Sequence, residues 1–120
     1  MSYDFMMVKP RGAVHSMADI QPANLSLQSG DAVKAKLTSL FPAVEWEEMG
    51  DRGWLGRLMI DGNPYEFRVH AGDDECWNIN TPEENQGTTL IAKICETLQV
   101  LAFDGQSLEF IDGHGRRSAI

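Results

Sequence analysis

Apolar and polar residues alternate from the start of the chain. Over Tyr3–Lys9, Tyr3, Phe5 and Met7 alternate with Asp4, Met6 and Val8. A period of two predicts a strand, and Met6 and Val8 predict that both of its faces are partly covered. Pro10, Arg11 and Gly12 stop it. From Pro10 to Gly30 no period survives across a segment of about 20 residues. A connection this long is uncommon in a compact domain and is often functional or locally folded. A short helical turn is expected near Ser16–Ile20.

The period then changes. Val33, Leu37, Leu40 and Phe41 recur at i, i+4, i+7 and i+8, one buried stripe of a helix. It should start near Gly30 or Asp31, with Ser29 or Asp31 accepting from the free amides of its first turn. Pro42 should end it. Three or four strands are expected next. In residues 43–49, Val44 and Trp46 alternate with Glu45 and Glu47, so one face is core and one is wet. Residues 54–60 and 65–70 flank Asp61-Gly62, a strong hairpin signal, although Asn63 and Pro64 suggest a slightly longer loop. A short strand over Cys76–Asn80 should continue the meander.

A second helix follows. Thr81-Pro82-Glu83-Glu84 has the residues of a capping box, with Pro82 suited to the first helical position. Gly87 costs a helix about 1 kcal/mol relative to Ala, so Thr88 is the alternative start. Leu90, Ile91, Ile94, Cys95, Leu98, Leu101 and Ala102 form a wide apolar stripe. Asp104-Gly105 should close the helix, and Ser107–Ile111 reads as a last strand. From about residue 113 a polar tail is expected. The order strand, helix, strands, helix, strand predicts an α+β fold. Its economical form is a single mostly antiparallel sheet of five to six strands with two helices packed on one face. The length, 120 residues, predicts one domain spanning 1–120.

Charge narrows the function classes. Eighteen acidic residues against ten basic ones give a net charge of -8. That disfavours nucleic acid, which calls for a basic footprint, and anionic membranes. It favours a basic protein partner. No apolar run reaches the roughly 20 residues of a membrane helix, and the N-terminus lacks the basic start of a secretory signal, so a cytoplasmic protein is expected. With only two cysteines, both are expected as free thiols.

Motifs for chemistry are absent from the pattern. His15, His70 and His114 have no helical ligand spacing, there is no Cys-x-x-Cys, and Asp73-Asp74-Glu75 lacks the alternation of a calcium loop, so no metal is expected. The glycine-rich stretches fit neither a P-loop nor a dinucleotide fingerprint, so no cofactor is expected. His70 and Cys76 flank one loop, but the acids between them oppose a thiolate. The expectation is therefore a protein that is not an enzyme.

The sheet's second face is more informative. If Phe5, Trp46, Leu58 and Phe67 face the helices, the pleat puts Met6, Val8, Glu45, Glu47, Leu55, Arg57, Met59, Glu66, Arg68 and His70 opposite. Adaptable Met beside Arg is a frequent interface mixture. The partner-binding candidates are Met6, Glu45, Glu47, Leu55, Arg57, Met59, Arg68 and His70, with Asp73, Asp74 and Glu75 in the adjoining acidic turn. Such a surface suits occlusion of a basic partner. The alternative is a structural or adaptor domain that self-associates, as a homodimer, through the open face.

The opening MSYDF, and the closing LIAKICETLQVLAF followed by Asp-Gly-Gln and SLEFI, resemble a group of small bacterial proteins. Many of that group look like immunity partners of polymorphic toxins. The resemblance covers the two ends and the element order, and it carries over no catalytic residue. It implies an inhibitor that occludes a basic toxin domain without a cofactor.

Overall fold

A computed structural model describes residues 3–12, 14, 19, 21–60, 62–81, 88–105 and 108–119. In chain order the elements are β1 (Tyr3–Val8), β2 (Gln28–Ser29), α1 (Gly30–Leu40), β3 (Glu45–Glu48), β4 (Gly53–Ile60), β5 (Asn63–His70), β6 (Asp73–Asp74), β7 (Cys76–Thr81), α2 (Thr88–Leu98), β8 (Leu101–Asp104), β9 (Glu109–Ile111) and β10 (Arg117–Ala119). Eight strands form one sheet in the order β10-β9-β8-β1-β7-β5-β4-β3, and β2 pairs with β6 in a separate ribbon. Every strand pair is antiparallel. The fold is α+β as expected, with more strands than the five to six anticipated.

The extra strands come from residues that the helical stripe and the tail had claimed. Gln99 adopts a left-handed φ of 57°, and the Val100 N–H donates to the Cys95 carbonyl, so α2 ends at Leu98. Leu101 and Ala102 are therefore free to pair with β1 as part of β8. The expected polar tail turns back instead. Asp112 Oδ1 accepts from the His114 and Arg116 amides, and Arg117–Ala119 then pairs with β9. Thr81, the expected helix cap, is the buried last residue of β7 and pairs with Tyr3. The rest of the proposed capping box, the expected turn near Ser16–Ile20 apart from Asp19, and His15 and Asp61 lie outside the described residues. The β4–β5 hairpin is tighter than expected. Ile60 pairs directly with Asn63, and Gly62 supplies the positive φ of 81° that such a short turn requires.

Both helices pack on one sheet face. Ser29 caps α1, its side chain accepting from the Ala32 amide, and Val33 and Leu37 face inward. Ile91, Ile94, Cys95 and Leu98 do the same from α2. They meet Phe5, Met7, Phe67, Trp77 and Ile79, which the pleat brings to the same side. Phe67 stacks with Phe41 at 6.0 Å between ring centroids.

The opposite face is divided. A second cluster joins Val8, Leu25, Phe103 and Phe110, with Met6, Val14, Cys76 and Leu101 packed against it. Leu25 and Val14 come from the long 10–30 segment, which is therefore a strap across the β7–β1–β8–β9 part of the face. Main-chain bonds hold it: the Arg11 N–H donates to the Asn24 carbonyl and the Ser26 N–H to the Lys9 carbonyl. Within it are a 3-10 turn over Pro22–Asn24 and β2. The Gln28 side chain links the strap to the sheet, donating to the Met7 carbonyl and accepting from Trp77 Nε1 at 3.0 Å.

Candidate functional site

Among the described residues, the strap cluster includes none from β3, β4 or β5. Strand register sets the composition of the uncovered half. Glu45, Arg57 and Glu66 lie directly across from one another, as do Glu47, Leu55 and Arg68. Each row mixes sign, which lets neighbouring strands pair without like-charge contact. The Arg57 guanidinium reaches diagonally to Glu47 at 3.0 Å. Both groups are more than half exposed, so this ion pair contributes little to stability. Met59 is 64% exposed, and Leu55, beyond Arg57 on the same strand, is half-buried.

The expected partner-binding residues separate into two sets. Glu45, Glu47, Leu55, Arg57, Met59, Arg68 and His70 share the uncovered half-face. Asp73 and Asp74 sit in β6, next to the end of β5, and Glu75 follows. Met6 does not belong with them. It lies opposite Phe103 and packs into the strap cluster, because apolar Leu25 and Val14 cover that part of the sheet. Val8, expected on the same open face, is fully buried for the same reason.

Two depressions border the uncovered half. One, of about 630 Å³, lies beside the β4–β5 turn and is lined by Glu45, Arg57, Met59, Pro64 and Glu66 among others. The other, of about 450 Å³, lies where β4 begins and β5 ends. Its walls come from Met49, Arg52, Trp54, Leu55, Arg68 and His70, with Asp51 and Asp74 at the same place. A 3-10 turn over Gly50–Arg52 carries Arg52 into position. The turn closes on β5 at Gly53, whose φ is 119°. A Cβ there would lie 2.1 Å from the Val69 carbonyl oxygen, so only glycine lets the two strands approach. Met49, Arg52 and Trp54 were not singled out from sequence. Arg52 lies between two expected strands, Met49 closes the first of them, and Trp54 is in phase with core-facing Leu58. The available hint was the pair of glycines, Gly50 and Gly53, around a single turn.

The thiols are not poised for catalysis. Cys76 faces the strap cluster, and its thiol is pushed up first by burial and then by the Asp74 and Glu75 carboxylates. A nucleophile needs the reverse. Cys95 is buried under α2 and pushed up to about 12, chiefly by burial. Both are free. His70 Nδ1 lies 3.9 Å from Asp74 Oδ2, an exposed contact at the outer limit of an ion pair. Among the described residues no three His, Cys, Asp or Glu side chains are grouped to hold a metal ion. Among them, too, no helix is long and apolar enough to cross a membrane. No family model matches the sequence, and a search of curated proteins finds none similar to it.

Proposed function

We propose that the chain is a binding protein of the immunity type, which occludes a basic toxin domain through the uncovered β3–β4–β5 half of its sheet. The observation that carries this reading is the division of that sheet face. One half is sealed by the strap, while the other presents Met59 and Leu55 within a border of carboxylates from Glu45, Glu47, Glu66 and the Asp73–Glu75 turn. A central apolar anchor with a charged border is the usual anatomy of a protein interface. The net charge of -8 gives that border a long-range pull on a basic partner. Occlusion of this kind is steric and electrostatic and uses no cofactor. Glu45, Glu47 and Glu48 on the edge strand oppose self-pairing through β3, because an isologous contact would set like charges against each other.

The test separates the two contributions kinetically. A tagged chain is used to recover the partner from native lysate, and binding is followed by surface resonance. Changing Asp73, Asp74 and Glu75 to Lys should slow association towards the unassisted value of about 10⁵–10⁶ M⁻¹s⁻¹ and flatten its salt dependence. Met59→Asp should leave association nearly intact and speed dissociation. Recovery of acidic partners only, or binding indifferent to both changes, would remove the support for this reading.

A further inference from the structure

The depression at the start of β4 has a charge character unlike the rest of the molecule. Acidic residues outnumber basic ones by 18 to 10, yet two arginines from separate elements, Arg52 and Arg68, line this one cavity. Arg57, two residues along the strand from Leu55, is paired with Glu47. Among the described residues, neither Arg52 nor Arg68 has a carboxylate within ion-pair distance. The strand register accounts for Arg68: its direct neighbours are Leu55 on β4 and Asn78 on β7, and neither is an acid. Of the two acids at the cavity, Asp74 is directed towards His70, which leaves Asp51 as the one other carboxylate of the lining.

The remaining wall is apolar. Leu55 is half-buried, and Met49 is 44% exposed at the rim. The Trp54 ring belongs to the other side of the sheet: it packs against the core with the Lys34 ammonium of α1 4.7 Å from its centroid. At about 450 Å³ the space is within the usual range of small-ligand sites, about 300–1,000 Å³.

We infer that this cavity binds a small organic anion, its carboxylate held by the guanidinium groups of Arg52 and Arg68 and its apolar body laid against Leu55 and Met49. Guanidinium matches a carboxylate with two parallel hydrogen bonds, and such charge-assisted contacts are about twice as strong as neutral ones. A ligand with only the charge would leave the apolar wall wet. One with only the body would leave the arginines without a counter-charge.

The site is testable on the isolated chain, so its outcome is independent of any protein partner. Benzoate is the probe, titrated against the ¹⁵N-labelled full chain, with benzamide as the neutral isostere and inorganic phosphate as the charge without the body. Amide shifts should be confined to residues 49–55 and 68–74. Benzamide and phosphate should each bind at least about tenfold more weakly than benzoate, and R52Q together with R68Q should weaken benzoate by a similar factor. Both arginines are exposed, so the double variant should retain the parent's amide spectrum elsewhere. Shifts scattered over the surface, benzamide binding as well as benzoate, or a double variant that binds unchanged would each overturn the anion assignment. Phosphate binding as well as benzoate would overturn the role of the apolar wall.

Discussion

The two halves of the sheet's outer face follow the same alternation and end in opposite states. On the β1–β8–β9 side, Val8, Phe103 and Phe110 point outward from the helices and are buried under Leu25 of the strap. On the β3–β4–β5 side, Arg57, Met59 and Arg68 point the same way into solvent. The difference lies in what each half is made of. Phe103 and Phe110 stand directly opposite each other, with ring centroids 5.2 Å apart, an aromatic pair that calls for a cover. The other half carries charge in the Glu45–Arg57–Glu66 and Glu47–Leu55–Arg68 rows and tolerates water. The uncovered half thus lies where the sheet offers the chain's own strap little that is apolar to hold it.

The sharpest way to break this comparison is to truncate one outward-facing side chain in each half. Phe110→Ala should cost about 3–5 kcal/mol, the range for an aromatic lost from a packed core. Met59→Ala should stay within about 0.5 kcal/mol, as for an ordinary surface change. Urea melts of the two variants would measure both. Equal losses would mean that the uncovered half is packed after all.

A smaller effect is expected from loosening the strap itself. Leu25 is its one fully buried residue among those described. Leu25→Ala should cost about 2 kcal/mol, the low end for such a truncation, because a surface segment can settle into the space. It should also unmask Cys76. Burial is the first cause of that thiol's raised pKa, so exposure lowers the pKa and enlarges the thiolate fraction at a given pH. Alkylation of Cys76 should accelerate while Cys95, held at about 12, stays unlabelled in the folded protein. Mass mapping after timed labelling distinguishes the two. Simultaneous labelling would indicate global opening instead.

The smallest expected effect lies at the far edge of the covered half. Burial alone would raise the Asp112 carboxyl, but the Arg116 and His114 amides, and the positive charges of the same residues, outweigh it and hold the carboxyl below its ordinary value of 3.8. A depressed carboxyl stabilises the fold above its unfolded pKa, and the contribution is lost as pH falls through the lower folded value. Asp112→Asn should therefore leave melting at pH 7 slightly reduced and flatten the loss of stability below about pH 4. An acid limb identical to the parent's would show that the β9–β10 turn does not depend on this charge.

Strands were legible wherever period two was sustained. β1, β4, β5 and β7 appear within one or two residues of the expected bounds, and α1 starts at the Ser29 cap, one of the two candidates. The C-terminal third was harder. Leu101 and Ala102 extend the spacing of the α2 stripe, and only the left-handed Gln99 separates them from it. Nothing in the residue types of Arg117–Ala119 distinguishes a tail from an edge strand. Of the candidate site, the pleat assigns Met6 and the β3–β5 residues to one face, and Asp73–Glu75 follow β5 in the chain; only the strap sets Met6 apart. The cavity beside them depends on Arg52, which joins Leu55 and Arg68 only once β4 and β5 pair.

What the sequence by itself determined is the set of faces. Alternation dictates which side chains share a side of each strand, and the i, i+4 stripes dictate which sides the helices cover, since both follow from backbone geometry alone. What only the tertiary structure decided is which outward-facing half stays open. That depends on where an aperiodic strap comes to rest, and a segment without a period is positioned by its long-range contacts, here Leu25 on Phe103 and Phe110 and Gln28 on Trp77, not by any local preference of its own.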